Sequence, residues 1–191
     1  MLGGTLHPGQ ICQLAYVIEE EGGLSAKNFY FAVEAIEPSA SAVTGLTVPI
    51  VAALSRGRVF ADDADEIWRD FAAADVLVAH NFSFDEGFMR TEFGRLGMSF
   101  DPGDKRFCTM RHFAPVLKLP ARGRGYKFPS LEEFASYEGV RNADIMDLMR
   151  TLYGTEKQAH DARHDTVKMY LALDNACKQD LALAAAFGKL W

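Results

Sequence analysis

The sequence lacks several features that mark special classes of protein. No apolar run approaches the roughly 20 residues that a membrane-spanning helix needs, and the first residues lack the basic and apolar segments of a secretory signal. Only three cysteines occur, Cys12, Cys108 and Cys177, and their spacing fits neither a zinc site nor a disulfide framework. We therefore expect a cytoplasmic protein with no membrane partner, whose cysteines are small buried hydrophobic residues.

An excess of positive charge is also absent, since the 191-residue chain has a formal net charge of −6. This argues against a protein that coats nucleic acid by bulk electrostatics. It leaves open an enzyme that grips one strand end through a local positive surface and bound metal ions. The composition is that of a globular protein, with 49% apolar and 24% charged residues, and it predicts one domain over residues 1–191.

The order of periodic segments predicts an α/β domain. Two apolar runs, residues 11–18 and 28–34, flank Glu-Glu-Glu-Gly-Gly and predict a hairpin. Short helical turns are expected within residues 38–55, and a buried strand over residues 76–79. Further helices are predicted over residues 62–75, 83–96, 112–117, 130–137, 144–153, 160–177 and 179–190, with a weak strand over 106–110. Strands first, then helices alternating with strands, indicates a mixed sheet.

The sharpest local signal is His-Asn-Phe-Ser-Phe-Asp at residues 80–85, which follows the predicted strand and opens a helix. Asp85 shares a face of that helix with Phe88, Met89 and Glu92. A carboxylate on a largely apolar face is unfavourable unless a cation such as a metal ion balances its charge. Acids are also common in exposed first turns of helices, so this segment alone leaves both interpretations open.

A second cluster, His-Asp-Ala-Arg-His-Asp, occupies residues 160–165 and places Asp165 near the start of an amphipathic helix. By itself it is equally well explained as a solvated helix start. Two carboxylates on different helices, each five residues after a histidine, suit phosphodiester hydrolysis by two divalent ions. Hard oxygen ligands favour Mg²⁺ or Mn²⁺, and a neighbouring histidine can take the proton from the attacking water.

In combination, these segments resemble the motifs of the DnaQ-like, or DEDDh, 3′–5′ exonucleases. Residues 80–85 look like the second motif of that family, and residues 160–165 resemble the third, H-x-A-x-x-D. Residues 43–47 (VTGLT) are similar to the H-G-I-T loop that cradles the terminal nucleotide. Residues 11–17 look like the second strand, and Cys108-Thr109-Met110 stands where the family usually has D-T-L. The resemblance runs in the family's order over residues 6–175.

The resemblance implies a ribonuclease H-like mixed sheet flanked by helices, and an enzyme that removes nucleotides from a single-stranded DNA or RNA 3′ end. It makes Asp85 and Asp165 ligands of a two-metal Mg²⁺ or Mn²⁺ site and His160 the general base. The substrate-binding residues that it implies are Thr44, Gly45 and Leu46 around the terminal base, Asn81 and Phe84 in support of the second motif, and Phe88 beside the nucleotide. A DNA polymerase is a further candidate partner.

The sequence departs from the family pattern at two points. Thr44 replaces the usual histidine, which weakens an expected contact to the terminal nucleotide. The first motif, D-x-E, is absent, because alignment of residues 6–9 (LHPG) with the usual G-L-x-P stretch puts the expected glutamate at Leu2 and the expected aspartate before Met1. Two of four metal-binding carboxylates, and the first, central strand that carries them, are therefore missing from the sequence.

Three explanations fit the missing motif: an N-terminally truncated gene product, a partner chain that supplies the strand, or a degenerate relative that binds ends without cutting. A metal-dependent 3′–5′ exonuclease is the leading hypothesis, and a non-catalytic single-stranded nucleic-acid binding module is the alternative. A third hypothesis is an unrelated α/β protein whose His and Asp residues are helix caps. The acid-free basic stretch at residues 113–131 is either a contact for strand phosphates or a solvated loop.

Overall fold

A computed structural model of the chain describes residues 9–155 and 161–188. The strands in this part of the chain are β1 (Gln13–Glu20), β2 (Gly23–Tyr30), β3 (Leu77–Ala79) and β4 (Arg106–Cys108). The helices are α1 (Pro38–Thr44), α2 (Val48–Ser55), α3 (Ala64–Ala73), α4 (Phe82–Arg95), α5 (Thr109–Leu117), α6 (Leu131–Tyr137), α7 (Asn142–Tyr153), α8 (Ala162–Gln179) and α9 (Leu181–Ala186). The predicted mixed α/β class is confirmed, with small sheets flanked by helices.

The described strands pair as two separate two-stranded sheets, β1 with β2 and β3 with β4. The ribonuclease H-like topology therefore stays a prediction. The hairpin is confirmed, but its turn consists of Glu21 and Gly22 alone, and β2 begins five residues before the predicted start at residue 28. The reason is that Gly23-Leu24-Ser25-Ala26 already alternates exposed and half-buried positions as a strand does, although it contains no aromatic residue.

The chain divides into two compact units, each made of segments that are distant in sequence. Unit 1 contains the described residues 9–14, 29–77 and 83–105. Unit 2 contains residues 15–28, 78–82, 106–155 and 161–188. The sequence-based assignment of one domain over residues 1–191 stays a prediction.

The core of unit 1 is aromatic. Phe31 contacts Phe60 with ring centroids 5.3 Å apart, and Phe60 contacts Phe93 at 5.2 Å, both edge to face. Phe93 stacks on Phe100 at 5.6 Å. Such pairs contribute about 0.5–1.5 kcal/mol each beyond the burial of their area. Ile67, Trp68 and Phe71 of α3 all belong to this cluster.

Helix α8 is the centre of unit 2 and contacts α6, α7 and α9. Because neighbours lie on several sides, burial extends around the helix beyond the single face expected from periodicity. Val167 is fully buried, whereas Met169 and Tyr170 are only half-buried. The two apolar clusters along α8 are built from residues of α5 to α9, among them Phe113, Phe134, Leu173, Cys177, Ile145, Met149 and Val167.

Capping residues are found at the start of α6 and after the end of α4. Ser130 and Glu133 form a capping box at the start of α6, with Glu133 N donating to Ser130 Oγ at 3.2 Å and Ser130 N donating to Glu133 at 2.8 Å. Gly97 adopts a positive φ of 70° two residues after the end of α4 at Arg95. Of the three cysteines, Cys177 is buried as predicted, whereas Cys12 and Cys108 are half-buried.

No single helix in the described ranges is long and apolar enough to cross a membrane. Two helical segments bent by 60°, Pro38–Thr44 and Val48–Asp62, pass that test as a pair by length and composition alone. Glu19 and Glu20 at the end of β1 and Glu21 in the hairpin turn are all exposed.

Candidate functional site

The second motif begins in a turn between β3 and α4. Asn81 occupies the left-handed region with φ of 68°, which asparagine adopts more readily than most residues other than glycine. Phe82 follows as the buried aromatic residue of the motif, and its backbone N–H donates to the sulfur of Cys108 at 3.5 Å. The segment is therefore fixed at its start by backbone conformation and by a contact to β4.

His80 is held by two hydrogen bonds inside unit 2. Its Nε2 lies 3.0 Å from the carbonyl oxygen of Pro129, and its Nδ1 lies 2.9 Å from Oγ1 of Thr109. A carbonyl only accepts, so we assign the proton to Nε2, and Nδ1 then accepts from the threonine hydroxyl. Burial lowers the pKa of His80, which favours this neutral ring, and the ring stacks on Phe134 at 6.0 Å. His80 thus links the end of β3 to Thr109 and Pro129, a role that the sequence did not indicate.

Asp85 lies in the first turn of α4 and belongs to unit 1. The residue is exposed to solvent, yet desolvation by the surrounding protein raises the pKa of its carboxyl to about 6, against a weaker opposing hydrogen bond from its own backbone. No cationic side chain in the described residues forms an ion pair with it. An ordinary first-turn acid is exposed and is stabilised as the carboxylate. Asp85 shares the exposure, whereas its raised pKa disfavours the carboxylate.

Aromatic side chains flank Asp85 on the same helix. Phe84 is 61% exposed, and its ring lies 4.9 Å from that of Phe88, which is half-buried against the core of unit 1. The pair thus combines one solvent-facing ring with one anchored ring. Phe82, and not Phe84, is the residue of the second motif that is buried. Exposed aromatic faces of this kind are suited to stacking on a nucleobase.

The loop predicted to cradle the terminal nucleotide lies at the end of α1. Gly45 is left-handed with φ of 70°, and its backbone N–H donates to the carbonyl of Ser41. Oγ1 of Thr44 donates to Ala40 O at 2.9 Å and accepts the N–H of Leu46 at 3.2 Å. The threonine hydroxyl thus stabilises the turn itself, which is consistent with the weaker substrate contact expected where the family has histidine.

The third motif begins α8. Asp161 caps the helix by accepting the N–H of Arg163 at 3.0 Å, and the arginine side chain grips the same carboxylate with nitrogen–oxygen distances of 2.8 and 2.6 Å. This pair is largely buried and fixes the first turn. Asp165 follows with a side chain that is 43% exposed. His160, the predicted general base, lies outside the described residues.

His164 and Lys168 are buried polar residues that sequence reasoning did not single out. Nδ1 of His164 has no hydrogen-bond partner among the described residues, and Oδ1 of Asp165 lies 3.5 Å from it. Nζ of Lys168 lies 2.5 Å from a carboxylate oxygen of Glu132. The available signal was the four-residue spacing of His164 and Lys168, which places them on one side of a helix.

Each predicted metal ligand, taken by itself, has the oxygen donors that the expected ions need. Asp85 and Asp165 are carboxylates open to solvent, and hard oxygen donors are what Mg²⁺ and Mn²⁺ prefer. In residues 9–155 and 161–188, however, no group of three or more His, Cys, Asp or Glu side chains is arranged to hold a metal ion. Asp85 belongs to unit 1 and Asp165 to unit 2. The two-metal site therefore stays a prediction.

No model of a known protein family matches this chain, and no curated protein sequence matches it. The likeness to the DEDDh exonucleases consequently depends on the quoted motifs and their order, and it stays a prediction.

Proposed function

We propose that this chain is the exonuclease domain of a metal-dependent enzyme that removes nucleotides from a single-stranded DNA or RNA 3′ end. The observation that carries the proposal is the position of Asp85, a solvent-accessible carboxylate without a described cationic partner, in the first turn after β3 and beside Phe84. Its raised pKa supports the same conclusion, because a carboxyl in this environment is stabilised by a bound cation.

In the proposed reaction the carboxylate oxygens of Asp85 and Asp165 would hold divalent metal ions, Mg²⁺ or Mn²⁺. Bound ions would supply Lewis-acid activation of a water molecule and charge balance for the phosphate. His160 takes the proton from the attacking water. The turn at Thr44, Gly45 and Leu46 receives the terminal base, and the aromatic pair on α4 offers a ring face to the same nucleotide.

Catalytic competence in this proposal depends on a D-x-E motif that the sequence does not contain. Two carboxylates balance less of the charge of two divalent ions than four do, so metal binding by the chain alone is expected to be weak. A strand ending in D-x-E, placed before residue 1 or supplied by a partner chain, would complete the ligand set. A DNA polymerase is one candidate for such a partner.

The test uses a 5′-labelled single-stranded oligonucleotide with Mg²⁺ or Mn²⁺, and the chain with and without an added D-x-E strand. Loss of nucleotides from the 3′ end is expected with the added strand and is expected to stop in EDTA. Asp85→Asn and Asp165→Asn should each reduce the rate at least about 100-fold. Asp65→Asn, which changes a first-turn acid of α3, is the matched control and should leave the rate unchanged. A completed chain that shortens no oligonucleotide overturns the proposal.

The second candidate function is a non-catalytic module that binds single-stranded nucleic acid. The solvent-facing ring of Phe84 favours it, because a base can stack on an exposed aromatic ring without a metal ion. It predicts salt-sensitive binding that is unaffected by Asp85→Asn and no shortening of the oligonucleotide even with the added strand. The rate assay and a binding assay on the same variants therefore separate the two candidates.

A further inference from the structure

A long segment of this acidic chain contains no acid. Between Asp104 and Glu132 there is no Asp or Glu, and residues 106–131 contain six basic residues: Arg106, Arg111, Lys118, Arg122, Arg124 and Lys127. The segment carries +6 while the whole chain carries −6, so the other residues together carry −12. A positive region of this kind is the electrostatic feature by which an otherwise acidic protein attracts a polyanion.

The middle of this segment has a defined shape in unit 2. Helix α5 ends at Leu117, the next residue, Lys118, has a φ of 51°, and residues 120–128 are all exposed. Pro120 and Tyr126 form an antiparallel bridge, and the N–H of Lys127 donates to Leu119 O at 3.0 Å. The chain folds back on itself, which places Arg122 and Arg124 at the tip of a hairpin-like loop.

Three cations of the loop are available to a partner. Lys118, Arg122 and Arg124 form no ion pair with any residue in the described ranges. Lys127 differs, because its Nζ lies 2.6 Å from Glu133 and this pair also lowers the pKa of Glu133 to about 2. Glu132 is likewise paired with Lys168. The nearest acids of α6 are therefore already neutralised by other cations.

Exposed aromatic rings lie in and beside the same loop. Tyr126 is 48% exposed and Phe128 is 52% exposed, with the guanidinium of Arg111 5.9 Å from the centre of the Phe128 ring. Tyr137 is 57% exposed and lines an open recess with Leu117, Leu119 and the two ion-paired glutamates of α6, Glu132 and Glu133. A partner that uses only charge gains nothing from three exposed rings, whereas a single-stranded nucleic acid presents phosphates and base faces together.

We propose that residues 118–128 and Tyr137 form a binding surface for single-stranded nucleic acid. Lys118, Arg122 and Arg124 contact phosphates, and the aromatic rings stack on bases. The surface deepens the proposed exonuclease function by assigning residues that hold the strand, but it requires neither a metal ion nor cleavage. Binding is therefore expected in EDTA and without an added D-x-E strand.

The test measures the fluorescence anisotropy of labelled oligothymidylate in EDTA over a series of salt concentrations. Arg122→Ala/Arg124→Ala should weaken binding about tenfold at low salt and reduce the slope of log K against log salt by about 1.4, for two lost phosphate contacts. Tyr126→Ala/Phe128→Ala should weaken binding at least about fivefold with little change of slope. Tyr126→Phe/Phe128→Tyr, which keeps both ring faces, should bind like the unaltered chain.

The matched charge control is Arg141→Ala/Arg150→Ala, which removes two exposed arginines of unit 2 around α7. It should leave binding unchanged, and equal weakening by both double variants overturns the proposal in favour of a net-charge effect. Charge dependence without ring dependence, with competition by polyglutamate, assigns the surface to an acidic protein partner and also overturns it. Retained binding without any shortening by the chain that carries the added D-x-E strand, in Mg²⁺ or Mn²⁺, refutes only the exonuclease. Shortening without loop-dependent binding refutes only this surface.

Discussion

Replacement of His80 by phenylalanine tests whether this residue is a structural link. His80→Phe keeps a ring for the stack on Phe134 but leaves the Pro129 carbonyl and the Thr109 hydroxyl without their partner. Both residues are fully buried, and an unsatisfied buried polar group costs about 1–3 kcal/mol. The hydroxyl of Thr109 retains a 3.4 Å contact with Ala79 O, so we expect a total loss of about 2–4 kcal/mol.

The pH dependence of this effect has a definite sign. Burial lowers the pKa of His80 in the folded chain below its ordinary 6.5, so the unfolded chain binds the proton more readily. The stability contributed by neutral His80 is fully present above pH 6.5 and is lost as the pH falls through the folded pKa. His80→Phe has no such proton, so its deficit relative to the unaltered chain should be largest at pH 8 and smaller at pH 5.

Urea denaturation followed by circular dichroism measures the loss of stability and its dependence on pH. In thermal denaturation, a loss of this size should lower Tm by roughly 5–15 °C. The control is His112→Phe, which replaces an exposed histidine of unit 2 and should change stability by less than about 0.5 kcal/mol. Thr109→Val combined with His80→Phe should recover part of the loss, because one orphaned group is removed. A deficit below about 0.5 kcal/mol, or one that grows toward pH 5, would refute the assignment.

Three further variants test the site and its supports by the same denaturation assay. Asp85→Asn should stabilise the metal-free chain at pH 8: a pKa of about 6 against 3.8 corresponds to about 3 kcal/mol, which solvent exposure reduces to about 1 kcal/mol. The gain should vanish below pH 3.8, where the carboxyl is protonated in both states, and an equal gain there would contradict the reasoning. Ser130→Ala should lose about 1 kcal/mol through the capping box, whereas Ser136→Ala in the same helix should lose less. Glu92→Ala should lose about 1–3 kcal/mol because the buried Ile11 N–H donates to it at 2.8 Å, and Asp147→Ala on the surface should stay within about 0.5 kcal/mol.

The sequence predicts elements well where the determinant is local. Ser130 with Glu133 begins one helix, and Gly97 follows the end of another, through hydrogen bonds and backbone conformation within a few residues. The buried sides of α8 could not be predicted, because they depend on which helices lie around it. Burial of Lys168 is of this kind, since it becomes favourable only when Glu132 from another helix pairs with its ammonium group.

The candidate site shows the same division. The apolar face that Asp85 shares predicts a desolvated carboxylate, and in the structure desolvation raises the pKa of its carboxyl to about 6, while its role as a metal ligand stays a prediction. The partners of His80 are 29 and 49 residues away in sequence, so their hydrogen bonds had no local signal. The Asp161–Arg163 clamp lies within the quoted third motif and was still missed, because only its hydrogen bonds distinguish it from a solvated helix start.

The second motif thus combines two roles that experiment can separate. His80 belongs to unit 2 and acts through Thr109 and Pro129, whereas Asp85 belongs to unit 1 and presents a carboxylate to solvent. Loss of His80 should lower stability and, well below Tm, leave the rate of a completed enzyme within about tenfold of its original value, because His80 contacts no reacting group in the proposed reaction. Asp85→Asn should have the opposite signature, a more stable metal-free chain with at least about 100-fold less activity. This signature is the one expected of a cation ligand. Its carboxylate lowers the stability of the metal-free chain, and a bound ion would supply the charge balance that the folded chain lacks.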